Sequence, residues 1–140
     1  MQLVKTDLPA VAEQVSRVLV DFPQVAAAYI FGSALELSRP DSDIDLGLVL
    51  QKDIAPESRE AFLLEGQIAA RLEPVGGRVF DINFIDPARP ILAVRIFNQG
   101  RLIYCRDQDR LSDVMEQVSR LYAEVYPRYR QALEEMLANV

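Results

Sequence analysis

The 140-residue chain contains no histidine and a single cysteine. Without histidine, Ser-His-Asp hydrolysis, His-ligated zinc and imidazole acid–base schemes are all excluded. The lone Cys105 excludes an intramolecular disulfide and any cysteine-rich zinc site, and within the apolar run Leu102-Ile103-Tyr104-Cys105 a buried, inert thiol is expected. Basic charge is also scarce: 15 Lys and Arg stand against 21 Asp and Glu, giving a net charge of −6 and a pI near 4.7. General nucleic-acid binding, which needs a concentrated basic surface to neutralise phosphates, is disfavoured. No apolar stretch approaches the roughly 20 residues that span a bilayer, and residues 1–7 lack the apolar centre of a signal peptide, so a soluble cytoplasmic protein without membrane contact is expected. The chemistry left to this chain rests on carboxylates, hydroxyls, basic side chains and any metal they recruit.

What is present suffices for one core. Half the residues are hydrophobic, and the pattern predicts an α/β fold. Asp7 is placed to cap a helix to about Val20, with Pro9 in its first turn and Val11, Val15, Val18 and Leu19 as its apolar stripe. Val25–Phe31 reads as a strand, Asp43–Leu50 as a second and Arg78–Ile85 as a third. Between the last two, residues 56–72 read as a helix with Phe62, Leu63, Ile68 and Leu72 among its apolar positions. Asp86-Pro87 is a helix opening and Gly100 its stop, with Leu102–Cys105 a short edge strand. From about Asp109 an amphipathic stripe runs to Val125, Pro127 is expected to break or kink it, and a final helix follows. The row Tyr122, Tyr126, Tyr129 is expected to pack that helix onto the domain, the alternative being a partner-binding face. Residues 1–106 then form the main domain and 107–140 a helical extension packed on it.

The informative segment is Tyr29-Ile30-Phe31-Gly32-Ser33, a loop, and Ser42-Asp43-Ile44-Asp45-Leu46-Gly47-Leu48-Val49-Leu50. On a strand, side chains alternate, so Asp43 and Asp45 share one face while Ile44, Leu46, Leu48 and Leu50 form an apolar row on the other. The third strand repeats this logic, with Phe80, Ile82 and Phe84 on one face and Asp81 and Asn83 on the other. The Gly32-Ser33 turn offers backbone N–H groups and a hydroxyl at an expected strand-to-helix junction, where anions are favoured.

These motifs, Gly32-Ser33, Ser42-Asp43-Ile44-Asp45-Leu46 and Val79-Phe80-Asp81-Ile82-Asn83, resemble the polymerase-beta-type nucleotidyltransferases, in particular their minimal single-domain branch, over roughly residues 15 to 105. The resemblance implies a small mixed sheet with helices mainly on one face and the acidic site open on the other. It also implies that Asp43, Asp45 and Asp81 are the catalytic carboxylates and ligate magnesium, two ions during catalysis, with Asp81 available as the base. Gly32, Ser33, Ser42 and Arg39 are the nucleotide-binding candidates. By the same resemblance, the chain would transfer AMP from ATP to a tyrosine hydroxyl of a HEPN-type toxin, acting as its antitoxin. A catalytically degenerate protein that neutralises its partner by contact is the alternative, and modification of a small antibiotic a third. One departure stands out: members of this branch commonly carry a stretch like Gly-Ser-Arg-Ala-Arg-Gly, whereas this chain reads Gly32-Ser33-Ala34-Leu35-Glu36-Leu37-Ser38-Arg39. Arg39, Lys52 and Arg78 are the candidate replacements for the missing arginines. Homo-oligomerisation is left open.

Overall fold

Local signals close most elements of the chain. The computed structural model describes residues 2–139. Helix α1 spans Leu8–Leu19, with the Asp7 carboxylate accepting the Ala10 N–H at 3.1 Å, and is followed by strand β1, Val25–Phe31. Strand β2 is Ile44–Leu50, and α2, Arg59–Arg71, is capped by the Ser58 hydroxyl. Strand β3, Phe80–Phe84, leads to α3, Pro90–Gln99. Then come β4, Arg101–Cys105, and α4, Gln108–Ala138, where Asp107 accepts the Arg110 N–H at 2.9 Å. Each such cap satisfies a donor that the first helical turn leaves free.

The four strands form one mixed sheet in the order β3-β2-β1-β4, β1 running antiparallel to both neighbours and β2 parallel to β3. The expected α/β class and mixed sheet are found, with the helices divided between its faces. On one face Val11, Val15 and Val18 of α1 and Ala61, Leu64 and Ile68 of α2 pack over Ile30, Ile44, Leu46 and Leu48. On the other, Ala93 and Ile96 of α3 and Leu111, Val114 and Val118 of α4 pack over Ala27, Tyr29 and Val49. β1 alternates between the two cores from Ala27 onward, and the break in alternation at Ala26 coincides with a register shift between Val25 and Ala27.

The apolar row of β2 anchors the sheet. Ile44, Leu46, Leu48 and Leu50 are at most 2% exposed. At about 1.5–3 kcal/mol per buried aliphatic side chain, the row contributes roughly 6–12 kcal/mol. A slip of one residue would turn all four outward, so the register is enforced and Asp45 must face the other way.

Several boundaries differ from expectation for identifiable reasons. Helix α3 begins at Pro90, not at Pro87: Asp86 caps only a short turn, accepting the Ala88 N–H at 2.9 Å, and Pro90 takes the first helical position. In α2, Phe62 and Leu63 are exposed, because Ala61, Leu64 and Ile68 already define the inward stripe. Cys105 is half-buried. Most notably, α4 runs through Pro127 as one helix. The carbonyl of Ala123 that loses its donor there lies on an exposed stretch, where water can satisfy it, and the following residues are good helix formers. Only the first half of α4 packs on the body; from Ala123 to Asn139 every described residue is exposed, so Tyr126 stacks on Tyr122 and Tyr129 tilts against Tyr126 along the helix and not into the core.

Candidate functional site

The parallel pairing of β2 with β3 sets Asp45 directly beside Asp81 and Gly47 beside Asn83. Both aspartates project from the sheet face opposite Leu46 and Ile82, toward the side that α3 and α4 cover further along. Asp43 lies one residue before β2 and is exposed, as is Asp81, while Asp45 is half-buried. Burial holds the Asp45 carboxyl above its ordinary value, reinforced by the charge of Asp81, by a proton the two carboxylates can share, and by the charge of Asp43. Asp81 and Asp43 therefore both bear on Asp45, which stands between them in the group.

Gly32 closes over Asp45. It has φ +73°, and a Cβ there would overlap the Asp45 carboxylate oxygen, so glycine is required both by backbone conformation and by close approach. Phe31, immediately before it, pairs with Asp45 across the sheet. The expected helix after Gly32 is absent: Gly32–Leu35 is a single 3-10 turn, so little macrodipole accumulates there, and what the turn presents is backbone N–H groups and the half-buried Ser33.

The candidate arginines divide sharply. Arg39 is exposed and paired with its neighbour Asp41 at 3.2 Å. Lys52 lies beyond the far end of β2, and even Leu50 is roughly 17 Å of extended strand from Asp45. Arg78 is 3% exposed. Its guanidinium donates to the Ser42 carbonyl at 2.8 Å, to the Ser38 hydroxyl at 3.0 Å and to the Thr6 hydroxyl. All three partners are uncharged, and together they tie β3, the N-terminal segment and the loop before Asp43 into one unit. The Val4–Ser38 bridge and the Ile44 N–H to Val79 carbonyl bond, 2.8 Å, reinforce it. Arg78 is a strut under the site, a role legible only once residues 6, 38, 42 and 78 are seen together. Ser42 contributes its carbonyl to this strut.

Two concavities flank the acids without including them. One, of about 360 Å³, is lined by Gly32, Ser33, Leu35, Glu36 and Gln99. The other, of about 320 Å³, opens at Asn83 and includes Asp86, Arg89, Glu65 and Ile96, Arg89 being the cation on its wall. Arg89 was not singled out in the sequence; its only signal there is a position just before a helix-starting proline.

Among the described residues no three His, Cys, Asp or Glu side chains converge as a ready-made cage for an ion. The donor set nevertheless fits magnesium. It offers hard oxygens and crowded negative charge, and among the described residues none of the three aspartates has a side-chain cation as partner. Magnesium commonly takes only one or two carboxylates, completing its octahedron with water and substrate phosphates. No helix among the described residues is long and apolar enough to cross a membrane.

No curated protein matches the chain significantly. Among solved structures, a chain of a substituted toxin–antitoxin MntA–HpeT pair superposes with a TM-score of 0.59 at 20% identity, covering 87% of this chain and 98% of that one. A toxin–antitoxin with AMP-PNP gives 0.58 at 20% identity, with the same coverage of 87% and 98%. The tri-AMPylated Shewanella oneidensis HEPN toxin in complex with MNT antitoxin gives 0.56 at 18% identity, covering 89% and 98%. At such identities the likeness is one of fold. The sequence profile described as polymerase beta, nucleotidyltransferase, matches residues 13–109, which takes in every strand and the paired aspartates. The chain belongs to the polymerase beta nucleotidyltransferase family.

Proposed function

We propose that this protein is a magnesium-dependent nucleotidyltransferase that moves AMP from ATP onto a tyrosine hydroxyl of a HEPN-type toxin, and so serves as that toxin's antitoxin. The observation that carries the reading is the side-by-side pairing of Asp45 and Asp81, with Gly32 closed over Asp45. Family membership supports the reaction class, and the toxin–antitoxin structures of similar fold, one with AMP-PNP and one with an AMPylated toxin, support the nucleotide and the acceptor.

In this reading Asp43, Asp45 and Asp81 would hold the metal, which when bound neutralises phosphate oxygens and steadies the charge that develops on them. The acceptor oxygen attacks the α-phosphorus of ATP, the bond to the β-phosphate bridging oxygen breaks, and pyrophosphate leaves. Asp81, exposed at the rim, takes the proton of the attacking hydroxyl; with no histidine in the chain, a carboxylate is the base at hand. Gly32 lets phosphate approach the backbone N–H groups of the turn that follows.

A contact-only antitoxin is the second reading, favoured by one observation: the loop after Gly32 lacks basic residues up to Arg39, which is paired outward, while Arg78 is committed as a strut. The test incubates the chain with magnesium, ATP labelled at the α-phosphate, and a HEPN-type protein. Label on that protein, lost with Asp43→Asn, supports transfer. Inhibition without label overturns it in favour of contact alone.

A further inference from the structure

A cleft runs along the outer edge of β3, the terminal strand of the sheet. It is the concavity of about 320 Å³ that opens at Asn83, and its walls come from both helical layers: Glu65 from α2 on one side, Leu92 and Ile96 from α3 on the other. Gly47, beside Asn83 in the ladder, has no side chain, so Ile85 and Ile96 settle onto the sheet there and form an apolar floor. The β3 backbone is only half used. The Val79 carbonyl and the Ile85 N–H bond to β2, and in a parallel ladder the alternate residues Ile82 and Phe84 turn their N–H and C=O groups outward, along the cleft. Three carboxylates, Glu57, Glu65 and Asp86, line it against one cation, Arg89, and among the described residues none of the four is in an ion pair. The cleft is therefore negative, with an apolar floor and open main-chain donors and acceptors.

Resting on the transferase reading, we propose that this cleft seats the acceptor: a short extended segment of the partner protein that carries a lysine or arginine and an apolar residue next to the tyrosine receiving AMP. The direction of attack selects the cleft. An in-line displacement sets the attacking and leaving oxygens on opposite sides of the phosphorus. With the phosphates over the turn that follows β1, pyrophosphate leaves on the β1 side of Asp45, so the acceptor oxygen arrives from the β3 side, where Asp81 takes its proton. The cleft begins two residues beyond Asp81 on that same strand, roughly 7 Å away, so a segment lying along it brings a neighbouring tyrosine to the acids. Charge selects the occupant. The three carboxylates repel the phosphates of a nucleotide and attract a basic side chain, while Ile85, Leu92 and Ile96 take an apolar one. The outward N–H and C=O groups of Ile82 and Phe84 match the main chain of an added strand.

Two capped peptides test this on the full chain without nucleotide: one holds a tyrosine, a leucine and a pair of lysines, the other has glutamates in place of the lysines. Followed through the amide resonances of isotope-labelled protein, the lysine peptide should bind with a Kd of about 1–10 mM and shift Ile82, Phe84 and Arg89. The glutamate peptide should bind about tenfold more weakly or worse. Glu57→Gln with Glu65→Gln, neither side chain belonging to either core, should weaken the lysine peptide by about fivefold or more with the thermal transition unchanged. In transfer assays with a HEPN-type protein, the same pair of changes should raise the KM for that protein and leave the KM for ATP as it was. Binding of the lysine peptide with no label transferred in any assay supports the seat while overturning the transfer, so the two readings fail separately. Shifts gathered at Gly32 and Ser33, equal binding of the two peptides, or indifference to the glutamate changes overturns the proposal. So does the absence of saturable shifts up to about 20 mM peptide.

Discussion

Asp45 and Asp81 ride on adjacent strands whose register is held by rows of buried aliphatic side chains, whereas residues 32–42 opposite them contain a single 3-10 turn and hang on contacts from far along the chain. The acidic side is over-determined: displacing Asp45 would require turning Ile44, Leu46, Leu48 and Leu50 out of the core. The loop side depends on Gly32, which admits the close approach, and on Arg78, which pins Ser38 and Ser42. Rigid strands thus supply the charge, and a tethered loop supplies the approach. Substitutions in the two regions should fail in different ways.

The largest effect is expected on the strand side. Asp45→Asn or Asp81→Asn should lower the proposed transfer by about 10²–10³-fold or more while leaving the fold intact, since each removes charge from the proposed site and no core packing. Transfer assays beside thermal melts check this, and near-full activity in either variant would remove the acids from the mechanism. On the loop side, Arg78→Met should destabilise the protein by about 2–4 kcal/mol, because three acceptors lose charged donors in a buried setting. Denaturant unfolding measures it, and the residual activity per folded molecule reports how far the loop before Asp43 depends on the strut. Gly32→Ala comes next, at about 1–2 kcal/mol from the positive φ alone, with an added loss of activity as the methyl displaces the Asp45 carboxylate.

The smallest effect is on pH dependence. The Asp45 carboxyl is raised in the fold, so the folded state holds its proton more tightly than the unfolded chain. Its contribution to stability is fully present below the ordinary aspartate range and is lost as pH rises through the raised value. Metal-free melts should therefore show stability declining across that window, with Asp45→Asn flattening the slope and magnesium countering the decline above it. An unchanged slope in Asp45→Asn would mean that the crowding of the three acids is relieved in solution.

Much of the strand side was legible because it follows local rules. Period-two alternation set Asp45 opposite Leu46 and Asp81 opposite Ile82, and the strand bounds 25–31 and the cap at Asp7 were readable from neighbouring residues. What escaped was long-range. Nothing near Arg78 announces that it will be buried among Thr6, Ser38 and Ser42, and its neighbours read as the start of a strand. The break expected at Pro127 failed for a related reason: the cost of an interior proline depends on whether the freed carbonyl is buried, and here the surroundings are solvent. The same exposure explains why the tyrosine row, a core stripe by pattern, leaves the body beyond Tyr122.

By itself the sequence determined the side-chain alternation, the caps, and the chemical type of the candidate site, since a chain without histidine but with paired strand aspartates has carboxylates for its chemistry. Only the tertiary structure decided that β2 and β3 lie parallel with Asp45 beside Asp81, that a glycine thirteen residues earlier closes on Asp45, and that the buried Arg78 is a strut. The physical reason is range: periodicity and capping act within a few residues, while register between strands and the partners of a buried charge are set by how the whole core packs.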